Sequence, residues 1–258
     1  MRLLIKLGGT LLDVPESRDR LAAEIAVAAK HHEIVVVHGG GKQMTRFLAE
    51  RGVESTFVGG LRVSTPEVID AVVKVFAGSV NKDLVGAFIR SGAPAVGICG
   101  LDGGLLECDL WSEELGQVGR PKRANPKLLN VLVAGAFLPV VACVGGDSGG
   151  RVYNVNADQM ASALAVAFEA ERLLFLTDVE GVRGADGSTI SELTASEAED
   201  LIRDGVAIGG MQAKLEAARR ALESVGWVHI APGMLPDVVS GLIEGKRIGT
   251  VLVPGPKQ

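Results

Sequence analysis

Two glycine-rich segments beside basic side chains are the places where this chain could do chemistry: Lys6-Leu7-Gly8-Gly9 and His38-Gly39-Gly40-Gly41-Lys42. Glycine lets backbone N–H groups turn inward, and a helix start adds partial positive charge. Such loops cradle anions, phosphates above all. Either loop alone also reads as a tight strand-to-helix turn. Two of them, one preceded by lysine, favour an anion site.

Four further segments carry polar residues in suggestive places. Asn154-Val155-Asn156-Ala157-Asp158 opens a helical pattern, with Asn156 suited to the N-cap and Asp158 to the dipole-facing first turn. That leaves Asn154 free to bind something. Leu176-Thr177-Asp178-Val179-Glu180-Gly181 ends an apolar run and reads either as a polar turn or as the rim of a site. Gly209-Gly210-Met211-Gln212-Ala213-Lys214 opens another helix and is expected to put Lys214 in its first turn. Lysine is unfavourable there, so Lys214 is a solvated surface lysine or one set against a bound phosphate. Arg62, in Gly59-Gly60-Leu61-Arg62-Val63, is a solvated arginine or a clamp giving a carboxylate two parallel hydrogen bonds.

The elements that must position these residues alternate along the chain. Apolar runs at Leu3–Leu7, Ile34–Val37, Ala95–Cys99, Leu138–Val144, Leu173–Leu176, Val228–Ile230 and Thr250–Val253 read as strands. Helical periodicity covers Ser17–Lys30, Lys42–Arg51, Pro66–Arg90 with a break near Gly78, Pro126–Ala134, Ala157–Ala170, Ser196–Asp204, Met211–Ser224 and Leu235–Glu244. Strands apolar on both faces belong to a mainly parallel sheet between helix layers, and ligands sit outside the carboxyl ends of such strands. Ser55–Val63 and Leu105–Arg120 break the rhythm and read as polar hairpins, candidates for lids.

Composition narrows the class. With 258 residues, 47% hydrophobic content and a net charge of −5, the chain has material for a substantial core and is no disordered segment. The acidic balance argues against a nucleic-acid binder. Three cysteines, Cys99, Cys108 and Cys143, make no C-x-x-C and read as core packing in a reducing compartment. Met1–Asp13 is a poor signal peptide, and the uncharged stretch 128–146 is divided by Gly135 and Pro139. The expectation is a soluble, cytoplasmic protein with no membrane partner. No P-loop, no G-x-G-x-x-G after the first strand, no G-x-S-x-G and no histidine–cysteine metal set occurs. A nicotinamide-dependent oxidoreductase is thereby disfavoured.

Taken in order, the quoted segments resemble the amino acid kinase family, and within it the branch that phosphorylates N-acetylglutamate. The resemblance runs from Leu3 to about Val253. It implies an α/β fold, an open αβα sandwich around a mainly parallel sheet of about eight strands, with a β-hairpin lid over the amino-acid site. Residues 1–150 would form the amino-acid-binding and dimerisation half, and residues 151–258 the ATP-binding half, on one continuous sheet.

By position, Lys6 and Lys214 would stabilise the transferring phosphoryl group, and Asp158 would hold both lysines. Gly8, Gly9 and Gly41 would donate N–H groups to phosphates. Gly40, Gly41, Arg62 and Asn154 would bind the acylated amino acid, with Arg62 on its α-carboxylate. Asp178, Val179, Glu180, Gly181, Val182, Arg183, Val206, Ala207 and Ile208 would line the adenine and ribose site. The resemblance further implies ATP with Mg2+, no protein metal ligand, and transfer to a side-chain carboxylate in arginine biosynthesis.

Arginine-sensitive members carry a helix ahead of the first strand, which here begins at Leu3. The expectation is therefore a homodimer that arginine does not inhibit. A lysine-pathway kinase acting on carrier-linked aminoadipate is the nearest alternative, with Arg120-Pro121-Lys122-Arg123 as a carrier contact or a solvated basic loop. A non-catalytic nucleotide sensor is a third reading, disfavoured because both lysines and Asp158 are present.

Overall fold

The structure, a computed structural model, describes residues 1–255. Its centre is an eight-stranded sheet. The strands are β1 (Arg2–Leu7), β2 (Glu33–His38), β3 (Ala95–Cys99), β4 (Leu138–Ala142), β5 (Arg172–Thr177), β6 (Glu192–Thr194), β7 (Trp227–Pro232) and β8 (Thr250–Val253). Their order is β6-β8-β7-β5-β1-β2-β4-β3, and only the β7–β8 pairing is antiparallel. The inner strands are apolar because both faces are covered: Leu3, Leu4, Ile5, Val35, Val36, Leu173 and Leu174 have no exposed surface.

Helices Ala157–Ala167 and Gly209–Leu222 pack together on one face, while Pro15–Ala28 lies with Asn81–Arg90 and Val238–Ile243 on the other. Strand β1 sits between β2 and β5. From β1 the chain runs to β2 on one side and later returns to β5 on the other, so the strand order reverses at β1, and ligands of such sheets bind outside the carboxyl ends of the strands at this point. Lys6, His38 and Thr177 all lie at that edge.

Several expectations need correcting. The apolar run Leu138–Val144 is not one strand. It divides at Cys143, and Val144–Gly146 joins a second sheet. Leu105–Arg120 is not a free hairpin. Leu106–Leu110 and Val118–Ala124 pair as expected, but Val144–Gly146 and Val152–Val155 close them into a small barrel, which removes their edges. Ser55–Val63 does form a hairpin, with Phe57–Val58 against Leu61–Arg62. The helix expected over Pro66–Arg90 is continuous in direction, but Val73–Val80 is wound as a π-helix, with Gly78 inside that stretch rather than at a break. Strand β6 has only three residues and escapes the reading altogether. No helix of the described residues is long and apolar enough to cross a membrane.

Candidate active site

Three charged side chains meet at the carboxyl edge of the sheet. Lys6 is the penultimate residue of β1, paired in register with Val37 and Phe175 on the neighbouring strands. Asp158 is in the first turn of helix Ala157–Ala167. That helix starts here because the Asn156 side chain accepts from the N–H groups of Asp158 (2.9 Å) and Gln159 (3.2 Å). Lys214 comes from helix Gly209–Leu222. The two helices approach closely because their contact is built from small residues, with Ala161, Ala165, Ala217 and Ala218 buried and Ser162 Oγ donating to Ala217 O at 2.8 Å.

The result is a bridged trio. Lys6 Nζ lies 2.7 Å from Asp158 Oδ1, and Lys214 Nζ donates to Oδ2 at 2.9 Å. Each oxygen of the one carboxylate thus faces its own ammonium group. All three residues are over 90% buried. Burial alone would raise the Asp158 pKa, but Lys6 and Lys214 outweigh it and hold the carboxyl well below its ordinary range. Burial, and then Lys6, lower the pKa of Lys214, against the opposing pull of Asp158. The Lys214 ammonium also stands 5.4 Å from the centre of the Phe175 ring. The trio carries a net positive charge in a dry setting, which suits a multiply charged anion.

Lys214 is sixth in its helix, not in the first turn as expected, because the helix already starts at Gly209. It is neither a solvated surface lysine nor subject to the dipole penalty. Its position is set by Asp158.

The two glycine loops abut. A Cβ on Gly9 would stand 3.2 Å from Gly41 N and 3.4 Å from Gly40 N. Gly9 and Gly41 each begin a helix, so their N–H groups have no intrahelical acceptor. Gly8 differs: its N–H donates to Leu176 O at 2.9 Å, which ties the β1 loop to β5. Arg62 is buried, with its guanidinium donating to Thr45 Oγ1 (2.8 Å), Gly41 O (3.2 Å) and Ser55 Oγ, and stacked 4.6 Å from the Phe57 ring centre. The hairpin and the second glycine loop thus share this side chain. Asn154 Nδ2 donates to Ser64 Oγ at 3.0 Å, and that hydroxyl donates to Arg62 O at 2.9 Å. Ser64 is fully buried and links the two residues. A lone serine two places after Arg62 gives no signal in the sequence.

The residues expected to line the nucleotide site are of two kinds. Asp178, Val179, Glu180, Arg183 and Ile208 are exposed at the edge, Ile208 by 70%. Asp178 accepts from Thr177 Oγ1 at 3.2 Å. Burial would raise its pKa, but hydrogen bonds, from Thr10 first, and the charge of Lys42 bring it below the usual carboxylate value. Val182 and Ala207 instead point into the core, Gly181 is buried, and Val206 is half-buried. The Val182 N–H is used by Thr250 Oγ1 at 2.8 Å. These four can offer a ligand little beyond backbone.

Among the described residues no group of three histidine, cysteine or acidic side chains gathers to hold a metal ion. The thiols of Cys108 and Cys143 are pushed up to about 12 by burial, as befits packing groups. Arg120-Pro121-Lys122-Arg123 is not a loop but part of the barrel strand Val118–Ala124, and there Lys122 pairs with Asp109 (3.1 Å) and Glu107 (3.3 Å), and Arg123 with Glu107 (2.9 Å).

Comparison with known proteins agrees with this geometry. A family model described as the amino acid kinase family matches residues 1–231. Acetylglutamate kinase of Solibacter usitatus (strain Ellin6076) is 56% identical over 255 residues, 98% of this chain and 99% of that protein. Acetylglutamate kinase of Geobacillus kaustophilus (strain HTA426) is 40% identical, over 95% of each. Among solved structures, N-acetylglutamate synthase from Neisseria gonorrhoeae superposes with a TM-score of 0.88 at 24% identity, over 99% of this chain and 60% of that one. Carbamate kinase from Giardia lamblia bound to AMP-PNP gives 0.70 at 18%, over 98% of each chain. These two speak to the fold alone. On sequence and fold together, this chain belongs to the amino acid kinase family.

Proposed function

We propose that this chain transfers the γ-phosphoryl group of ATP to the side-chain carboxylate of N-acetyl-L-glutamate, giving an acyl phosphate on the route to arginine. The observation that carries the reading is the buried Lys6–Asp158–Lys214 bridge beside two glycine loops, in a chain 56% identical to a protein named acetylglutamate kinase.

The acceptor carboxylate has an ordinary pKa near 4.3 and is ionised at neutral pH. It needs no general base. What it needs is relief of repulsion from a triphosphate, and alignment with it. Lys6 and Lys214 converge from opposite sides of Asp158 and supply positive charge where the transferring group passes. Asp158 keeps both ammonium groups aimed and tolerates their closeness. Gly9 and Gly41 offer N–H groups to phosphate oxygens. Gly40, Gly41 and Asn154 hold the acylated amino acid, and Arg62 exchanges its Ser55 and Thr45 partners for the α-carboxylate as the hairpin closes. Val179 and Ile208 give exposed apolar surface for the adenine, with Asp178 to Arg183 along the ribose. Mg2+ supplied with the nucleotide would neutralise part of the triphosphate charge.

The active form is a cytoplasmic homodimer, paired along the 66–90 helical stretch, where Val73 and Ile89 are exposed by 41% and 58%. Lys122 and Arg123 of the basic strand are already paired with Glu107 and Asp109, which favours the free acylated amino acid over a carrier-linked substrate. The test is ATP-dependent hydroxamate formation with free N-acetylglutamate and, separately, with carrier-linked aminoadipate. Turnover of the first alone is expected. Turnover of the second alone would reverse the assignment.

A further inference from the structure

Behind the second glycine loop lies a polar network that phosphoryl transfer does not itself use. His38 ends β2 and has no exposed surface. Asn81, 1% exposed, stands where the π-helical stretch Val73–Val80 gives way to an α-helix. Its amide orientation is fixed from two sides. Oδ1 accepts from Lys82 Nζ at 3.1 Å, and Nδ2 donates to Val140 O at 2.9 Å. A flipped amide would set a donor against the ammonium and an acceptor against the carbonyl. Gly97 leaves room for this arrangement, since a Cβ there would collide with Asn81 Oδ1.

The histidine tautomer follows. Asn81 Nδ2 also lies 3.0 Å from His38 Nε2. Because Nδ2 is a donor, Nε2 must be the unprotonated acceptor, and the proton resides on Nδ1. Nδ1 lies 2.9 Å from Gly39 O and donates to it. Burial, opposed only in part by this bond to Gly39, lowers the His38 pKa to about 4, so the neutral form persists.

Peptide planarity carries the effect onward. The carbonyl of Gly39 and the N–H of Gly40 belong to one plane and point opposite ways. Pinning the carbonyl toward His38 turns the Gly40 N–H away from the buried side. Gly40 N and Gly41 N lie beside the first glycine loop, 3.4 and 3.2 Å from the Gly9 Cβ position. From behind, Phe76 and Val80 of the π-helical stretch press on Gly40, where a Cβ would stand 3.0 and 3.3 Å from them. π-helical turns recur at functional sites, and this one delivers both the apolar wall and Asn81.

We propose that His38 and Asn81 are a positioning pair that fixes the Gly39–Gly40 peptide plane and so aims the Gly40 N–H at the amino-acid substrate. This rests on the reading that Gly40 binds N-acetylglutamate. Three variants test it. Asn81→Ala and His38→Leu are expected to raise the KM for N-acetylglutamate about tenfold, the loss of one net hydrogen bond, with the KM for ATP unchanged within about twofold. His38→Asn, whose amide can still donate to Gly39 O, is expected to recover most of the difference. A purely structural role would instead lower the folded fraction and the apparent kcat and leave both KM values alone, which would overturn the proposal. Nitrogen NMR of the wild-type imidazoles adds a readout independent of substrate and of variant folding. The Nδ1–H tautomer at His38 is expected, and an Nε2–H tautomer would overturn the pair. If wild-type enzyme does not phosphorylate N-acetylglutamate, the substrate reading fails, whereas the tautomer result still decides the geometry.

Discussion

Replacing Asp158 by asparagine keeps the shape of the bridge and removes its charge. Lys6 Nζ and Lys214 Nζ lie 2.7 and 2.9 Å from the two carboxylate oxygens, so the substitution removes the attraction that offsets the repulsion between the two ammonium groups. At an effective dielectric near 20, unit charges about 4 Å apart interact by about 4 kcal/mol, and each ammonium loses attraction of that order. The proton affinity of the pair falls accordingly, because their mutual repulsion is then unopposed. Lys214 is the residue to give way, since burial already lowers its pKa and Asp158 was opposing that shift. The variant therefore loses one ammonium group near neutral pH. With one charge donor missing, kcat should fall by about 10²–10³. Lower pH returns the proton, so the deficit should shrink as pH falls from about 9 to 6. The assay is kcat at saturating substrates across that range for wild type and Asp158→Asn, with thermal melts to show that the variant is folded. A deficit of the same size at every pH, or wild-type turnover at the alkaline end, would refute the reasoning.

Lys6→Ala and Lys214→Ala should each lower kcat by about 10²–10³ while changing the KM for N-acetylglutamate little, because both act on charge that develops during transfer; steady-state kinetics on the folded variants decides this. Arg62→Ala should chiefly raise the KM for N-acetylglutamate, and Arg62→Lys should rescue it poorly, since the planar fork is lost; calorimetry that instead shows weakened nucleotide binding would exchange the two half-sites. His38 and His229 have pKa values lowered to about 4, in both cases mainly by burial. The unfolded chain therefore binds more protons below about pH 6.5, and stability present above that pH is lost as pH falls toward 4, by roughly 3 kcal/mol for each histidine. Thermal melts across this window should show the decline, and His229→Gln should flatten it.

Much of the site was legible because its residues sit where glycine or an N-cap punctuates an apolar run. Lys6, Asn156 with Asp158, and Gly40 with Gly41 lie at such places. What the sequence could not show is convergence. Nothing in Lys6 or Lys214 says that both reach one carboxylate, since that depends on two helices meeting through alanines. The glycines 209 and 210 hid the true helix start, so Lys214 read as a first-turn residue. The run 138–144 has no polar break at Cys143, and periodicity cannot see a strand leaving one sheet for another. The Leu105–Arg120 hairpin looked like a lid because its closing strands, Val144–Gly146 and Val152–Val155, lie far along the chain. Val182 and Ala207 stand beside exposed neighbours in loops, and only packing turns them inward.

The central claim is direct transfer of the phosphoryl group to the side-chain carboxylate, with two lysines and no enzyme base. It is tested most directly with N-acetylglutamate carrying heavy oxygen in that carboxylate. The acyl phosphate formed from ATP is trapped with hydroxylamine, and the released phosphate is weighed by mass spectrometry. Hydroxylamine attacks the acyl carbon, so the bridging oxygen leaves with the phosphate. One heavy oxygen per phosphate, together with stoichiometric hydroxamate, is the predicted result. Unlabelled phosphate without hydroxamate would mean that ATP is hydrolysed by water, and that the carboxylate is not the acceptor.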